Sequence, residues 1–129
     1  MNLTQAKETH CRKGTQFAGT TWVEVLHQAQ NDGEPGAYLV NFLPGSRTDW
    51  HAHPGGQLLH IVAGKGRVQV EGEPLHEVGP GDTVFFGPGE KHWHGASPAH
   101  FMVHLAVSLG GAAQWMEPVS EEEYRAGNQ

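Results

Sequence analysis

Cysteine is nearly missing from this chain: Cys11 is the only one, so no intrachain disulfide staples the fold. Its place in an unpatterned N-terminal segment reads as an inert thiol. Cations are scarce as well. Eight Lys and Arg stand against 14 Asp and Glu, a formal net charge of −6, and no basic cluster interrupts that balance. Nucleic acid and anionic membrane are therefore electrostatically poor partners. No apolar run approaches the ~20 residues that cross a bilayer. The opening MNLTQAKETH lacks the apolar core of a secretory signal, which makes the cytoplasm the expected setting. Hydrophobic residues are only 37% of the chain, while 18 Gly and 8 Pro supply many turns. That balance excludes a helical bundle and favours short strands joined tightly, and 129 residues suit one domain.

Turn signals recur from residue 31 onward: Asn31-Asp32-Gly33, Pro44-Gly45, Pro54-Gly55-Gly56, Gly64-Lys65-Gly66, Glu71-Gly72, Gly79-Pro80-Gly81-Asp82 and Gly87-Pro88-Gly89. Between them lie short apolar or alternating runs, Trp22–Leu26, Ala37–Leu43, Leu58–Ala63, Arg67–Glu71, Thr83–Phe86 and Phe101–Ser108. Regular short strands at this spacing predict an all-β sandwich or barrel, with its core over about 36–108. Only the tail looks helical. Ser120 and Glu123 form a capping box for a short helix over about 120–126, just after Pro118. The first dozen residues are expected to be loose or a swapped edge strand.

One residue type is in excess. Ten histidines occur, most of them from His51 to His104, and imidazole is the commonest metal ligand. In a strand, His51 and His53 project from one face about 7 Å apart, so both rings can converge on one ion. Taken alone, His-x-His is weak evidence. The surroundings strengthen it. The Pro54-Gly55-Gly56 turn returns Gln57 toward the same interior, and the turn at Gly87-Pro88-Gly89 starts a further strand at His92. Three neutral imidazoles and an amide oxygen would then surround a divalent cation, with positions left for water or substrate. Gln57 has a second reading, as a hydrogen-bonding group within the barrel. As a ligand it brings no charge and leaves the ion a stronger Lewis acid than a carboxylate would.

These intervals resemble the cupin superfamily. Its first motif, Gly-x5-His-x-His-x3-Glu-x6-Gly, matches Gly45, His51, His53, position 57 and Gly64; its second, Gly-x5-Pro-x-Gly-x2-His-x3-Asn, matches Gly81, position 87, Gly89 and His92. Gln57 stands for the usual Glu, Gly87 for the first Pro and Ala96 for the terminal Asn. The resemblance implies a double-stranded β-helix, or jelly-roll barrel. The runs Gly55-Gly56-Gln57, Pro88–Ala96, Met102–Ala106 and Trp115-Met116-Glu117 are similar to small bacterial cupins labelled carboxymuconolactone decarboxylase-like, some of them manganese-dependent hydroxynitrile lyases. That likeness implies a metal-dependent lyase on a small molecule, manganese as the ion (Fe, Ni, Co or Zn suit the same donors) and a homodimer.

His94, two residues after His92, shares its face and has three readings: a further ligand, a proton-transfer group or a rim residue. In the resembling lyases the histidine at the place of His104 is the general base, a role that suits imidazole; the alternative is a hydrogen-bonded core histidine. Parity adds Tyr38, Val40, Arg47, Met102 and Ser108 as pocket candidates, while His60 falls on the outward face. Against the lyase stand two other functions: an iron-dependent C–C-cleaving dioxygenase and a non-enzymatic small-ligand module.

Overall fold

Alternation of apolar and polar residues, cut by glycine turns, resolves into 13 strands in the computed structural model, which describes residues 1–126. In chain order these are β1 (Cys11–Lys13), β2 (Phe17–Ala18), β3 (Thr21–His27), β4 (Gly36–Phe42), β5 (Arg47–Thr48), β6 (His51–Ala52), β7 (Gln57–Gly64), β8 (Gly66–Val70), β9 (His76–Val78), β10 (Thr83–Phe86), β11 (His92–Ala96), β12 (Met102–Ser108) and β13 (Gln114–Trp115). One short helix, α1 (Glu121–Arg125), follows. Its N-cap Ser120 accepts from the Glu123 amide, completing the expected capping box.

Two antiparallel sheets face each other. The first runs β1-β3-β4-β12-β7-β10; the second runs β13-β6-β11-β5-β2, with β8 on the other side of β11 and β9 beyond it. Their inner faces hold Val40, Phe42, Leu59, Ile61, Val68, Phe86, Met102 and Ala106, all buried. This is the all-β barrel that the turn spacing predicts, in the jelly-roll form that the cupin resemblance implies. Among the described residues no helix is long and apolar enough to cross a membrane.

Register does the positioning. β6 and β5 are two pieces of one line along β11, pairing His51 with His92 and Arg47 with Gly95. β7 sets Gln57 between Ser108 of β12 and Phe86 of β10. A histidine pair from one sheet and an amide from the other thus reach one interior.

Three sequence expectations are corrected. The N-terminal segment is not loose: after a 3-10 turn at Ala6–Glu8, β1 pairs with β3 as an edge strand. Arg47 does not line the pocket. It faces the opposite side of β5, where its guanidinium donates to the carbonyls of Gly45 and Val119, pairs with Glu121 and covers the Tyr124 ring at 4.4 Å. A buried guanidinium needs those acceptors, and only the outer face under α1 supplies them. There Tyr124, Trp50, Trp93 and Val119 form a second apolar cluster. Met102 does point inward, but at the closed end of the barrel, packed against Gly66 within the core.

Gly64 ends the first motif for a steric reason. Its φ is +80°, and a Cβ there would lie 1.9 Å from the carbonyl oxygen of Phe101. By contrast Gly87, standing where the family has proline, has no positive φ. Gly64→Ala is expected to lower stability by more than about 2 kcal/mol. Gly79→Ala, with nothing within 4 Å, should stay within about 0.5 kcal/mol. Denaturant midpoints of the two variants measure the difference.

Candidate metal centre

Backbone carbonyls fix the first two rings. His51 Nδ1 donates to the Asp49 carbonyl and His92 Nδ1 to the Glu90 carbonyl, each at 2.8 Å. Both hydrogens are thereby spent, and each neutral ring keeps a lone pair on Nε2. One nitrogen from each of His51, His53 and His92 lies within 4.8 Å of the others. All three side chains are buried. Neither nitrogen of His53 has a hydrogen-bond partner.

Gln57 is oriented by Ser108, whose Oγ accepts from Nε2 at 3.2 Å. That turns Oε1 toward His92 Nε2, 2.9 Å away. With Nδ1 already committed to Glu90, this contact sets two lone pairs against each other. A proton on Nε2 would relieve it, but burial holds the His92 pKa down to about 3. A cation bound by both atoms would relieve it instead. The buried, unpartnered nitrogens of His53 point to the same requirement, since a buried polar atom without a partner costs on the order of 1–3 kcal/mol. The residues present fit a divalent ion held by three imidazoles and one amide oxygen, a set with no net charge.

His94 and His104 form a separate pair. His94 Nδ1 and His104 Nε2 share one hydrogen at 2.9 Å, leaving His94 Nε2 and His104 Nδ1 without partners. The His94 ring lies 5.2 Å from that of His51, yet it is outside the three-nitrogen cluster. Phe42 packs on both rings, at 6.0 and 5.2 Å. Burial lowers the pKa of His51 and His53 to about 4 and that of His104 to about 3; the fully enclosed His94 is lowered well below the usual value, by burial first and then by His104. At neutral pH all five rings are neutral.

These groups line the inner end of a cavity of about 680 Å³. Tyr38, Val40 and Ser108 line it as parity suggested, together with His51, His53, Gln57, His94 and His104. His92 sits behind this surface, stacked on Phe86 at 3.7 Å. Arg47 and Met102 are absent from the lining. Ala106 lines it too, on the His104 face that alternation along β12 turns toward the cavity. Sequence reasoning missed Thr48, Phe17 and Trp115, which also line it; nothing in a two-residue strand signals Trp115. His60 faces outward and meets the Thr83 hydroxyl at 2.8 Å.

A two-sheet jelly roll with imidazoles converging inside its open end defines a metal-site β-barrel protein. The chain belongs to the cupin family, whose Cupin domain matches residues 38–106. It is 48% identical to a protein of Granulicella tundricola named (R)-mandelonitrile lyase, over 84% of this chain and 86% of that one. A crystal structure of a cupin-like protein from Thermotoga maritima superposes with a TM-score of 0.84, at 42% identity, covering 88% of this chain and 90% of the other. DMSP lyase DddQ from Ruegeria pomeroyi superposes less closely, with a TM-score of 0.62 at 28% identity, covering 82% of this chain and 54% of that chain.

The lowered histidine pKa values set a pH window. An unfolded histidine titrates near 6.5, whereas burial holds His51 and His53 down to about 4 and His92 and His104 to about 3, and lowers His94 as well. Between those values the unfolded chain binds more protons, so stability falls as pH falls from 6.5 toward 4, by up to about 1.4 kcal/mol per histidine per pH unit. Chelator-treated protein should therefore unfold in mild acid, followed by circular dichroism. Uptake of one divalent ion per chain should hold from pH 8 to 6 and fail toward pH 4, and His92→Ala should abolish it, read by elemental analysis.

Proposed function

We propose that this chain is a divalent-metal-dependent lyase of hydroxynitrile type, cleaving or forming small aryl cyanohydrins. The observation that carries the reading is the His94–His104 hydrogen bond beside the three-imidazole and amide cluster, inside one cavity. The likeness to a mandelonitrile lyase along most of both chains supports it.

His51, His53, Gln57 and His92 hold the ion. Bound there among uncharged donors, a dication supplies a Lewis acid that stabilises developing negative charge. The remaining work falls to the protein. His104, neutral and desolvated, accepts the substrate hydroxyl proton with His94 as its hydrogen-bonded partner. The oxygen lone pair then forms the carbonyl while the C–CN bond breaks, its electrons leaving with cyanide. The 2.9 Å contact lets the proton pass to His94, whose far nitrogen returns it to cyanide, giving aldehyde and HCN. Each imidazole ends neutral but in its other tautomer, so exchange of ring protons with solvent resets the pair before the next turnover, and no oxidant, reductant or other co-reactant is needed. Tyr38, Val40 and Ser108 bound the substrate space.

Manganese is the ion carried by this reading. Assembly as a cytoplasmic homodimer belongs to it too. The outer face of the first sheet exposes Trp22, Val62 and Phe85 beside Leu39, Leu58, Leu105 and Val107, an apolar surface suited to a second copy.

Manganese-loaded protein is expected to release benzaldehyde from mandelonitrile. His104→Ala should lower kcat/KM by about 100-fold or more while keeping its metal. No turnover by the loaded wild type, or full activity in the variant, would overturn the proposal. Oxygen uptake by iron-loaded protein, with no cyanohydrin cleavage, would move the chain to the dioxygenases.

A further inference from the structure

We infer that Trp115 is a positioning and specificity residue: it braces the His51 ring and, with Phe17, forms the wall against which a flat aryl group lies. The inference rests on the lyase reading only for the identity of that substrate.

Trp115 and His51 are direct cross-strand partners in the β13–β6 ladder. Side chains opposite each other in an antiparallel pair share a face, and the two rings meet at 4.6 Å with a tilt of 33°. His51 is thus held from two sides. The Asp49 carbonyl fixes its Nδ1, and the indole limits rotation of the ring about the bond that remains. Such a ring needs restraint, because its free Nε2 must stay aimed at its two partner imidazoles.

The indole does more than pack. It remains 41% exposed and lines the cavity, so part of its surface is open toward the substrate space. Phe17 lies 6.5 Å away at 57° and lines the cavity too. Phe17 in turn meets Phe42 edge-on at 5.8 Å, and Phe42 packs on His104. Aromatic contacts therefore run from the mouth to the acid–base pair, with Trp115 and Phe17 facing the cavity and Phe42 buried behind them. Gly14 makes room for Phe17, since a Cβ there would sit 2.3 Å from the Phe17 ring. A planar ring laid along this wall gains stacking contact that a puckered ring cannot match, and its reacting carbon is directed inward between the donor cluster and the His94–His104 pair.

The test compares benzyl alcohol with cyclohexylmethanol, which share a hydroxyl and a carbon count and differ in flatness. Binding to manganese-loaded protein is measured by calorimetry, alongside the manganese dissociation constant of each variant. Wild type should bind benzyl alcohol at least fivefold tighter. Trp115→Leu should bring that ratio toward one and weaken manganese binding several-fold, whereas Trp115→Phe should keep both. Phe17→Leu should reduce the ratio alone, because Phe17 does not touch His51; it also serves if Trp115→Leu fails to fold. A purely structural Trp115 would lower the melting temperature and move neither quantity. A wild-type ratio near one, no binding of benzyl alcohol, or a Trp115→Leu protein with both values unchanged would overturn the inference. Should the ratio hold while mandelonitrile is not turned over, the lyase reading falls and the aryl wall stands.

Discussion

The 2.9 Å approach of His92 Nε2 to Gln57 Oε1 is the contact on which the rest of the molecule depends. Each partner has already spent its hydrogen elsewhere, the imidazole on the Glu90 carbonyl and the amide on the Ser108 hydroxyl. Two acceptors facing each other at a buried position repel, and burial keeps His92 from taking up the proton that would relieve them. The barrel holds them there through the β7 ladder on one side and the β11 ladder on the other. The architecture is therefore strained toward accepting positive charge, and its stability couples to whatever cation satisfies it.

Burial makes that demand and also makes the chemistry. The same desolvation that keeps five imidazoles unprotonated leaves three of them with nitrogens converged closely enough to hold a metal ion and two joined by a hydrogen bond. Their separation follows from alternation along two strands. His92 and His94 share a face of β11, so one reaches the Gln57 side of the cavity and the other the His104 side. A single strand thus supplies a member to each group. The outer face of the same sheet works differently: there the buried Arg47 and Arg67 meet carbonyls and carboxylates of the C-terminal segment and the sheet that accept from them.

What the chain disclosed in advance, and what it withheld, divides along the same physical line. Spaced glycines and His-x-His report local geometry: a left-handed φ at Gly64 or two rings on one strand face need no knowledge of the remainder. Inward parity along β4 and β12 likewise located Tyr38, Val40 and Ser108. Arg47 was misplaced because β5 is two residues long and the chain breaks at Asp49-Trp50 before β6, so alternation counted back from His51 does not carry across. Met102 was assigned the right side and the wrong end, since parity fixes direction and not depth. Trp115 left no local sign. Its place beside His51 comes from a strand pairing across 64 residues of chain, which only the closed sheet reveals.

Gln57 and Ser108 are best understood together. An amide can turn either its oxygen or its nitrogen to a neighbour, and only the oxygen can ligate a metal. By accepting from Nε2, the Ser108 hydroxyl selects the oxygen-inward state. A carboxylate at position 57 would need no such partner, because both of its oxygens are donors to an ion. As a ligand the amide would trade charge for orientation: it would leave a cation's field undiminished, and it would rely on the acceptor at position 108, on the cavity wall. On the proposed reading, substrate specificity and metal geometry then meet at one residue. A change at Ser108 that enlarges or narrows the pocket also alters how firmly Gln57 presents its oxygen, so the two properties cannot vary independently in this barrel.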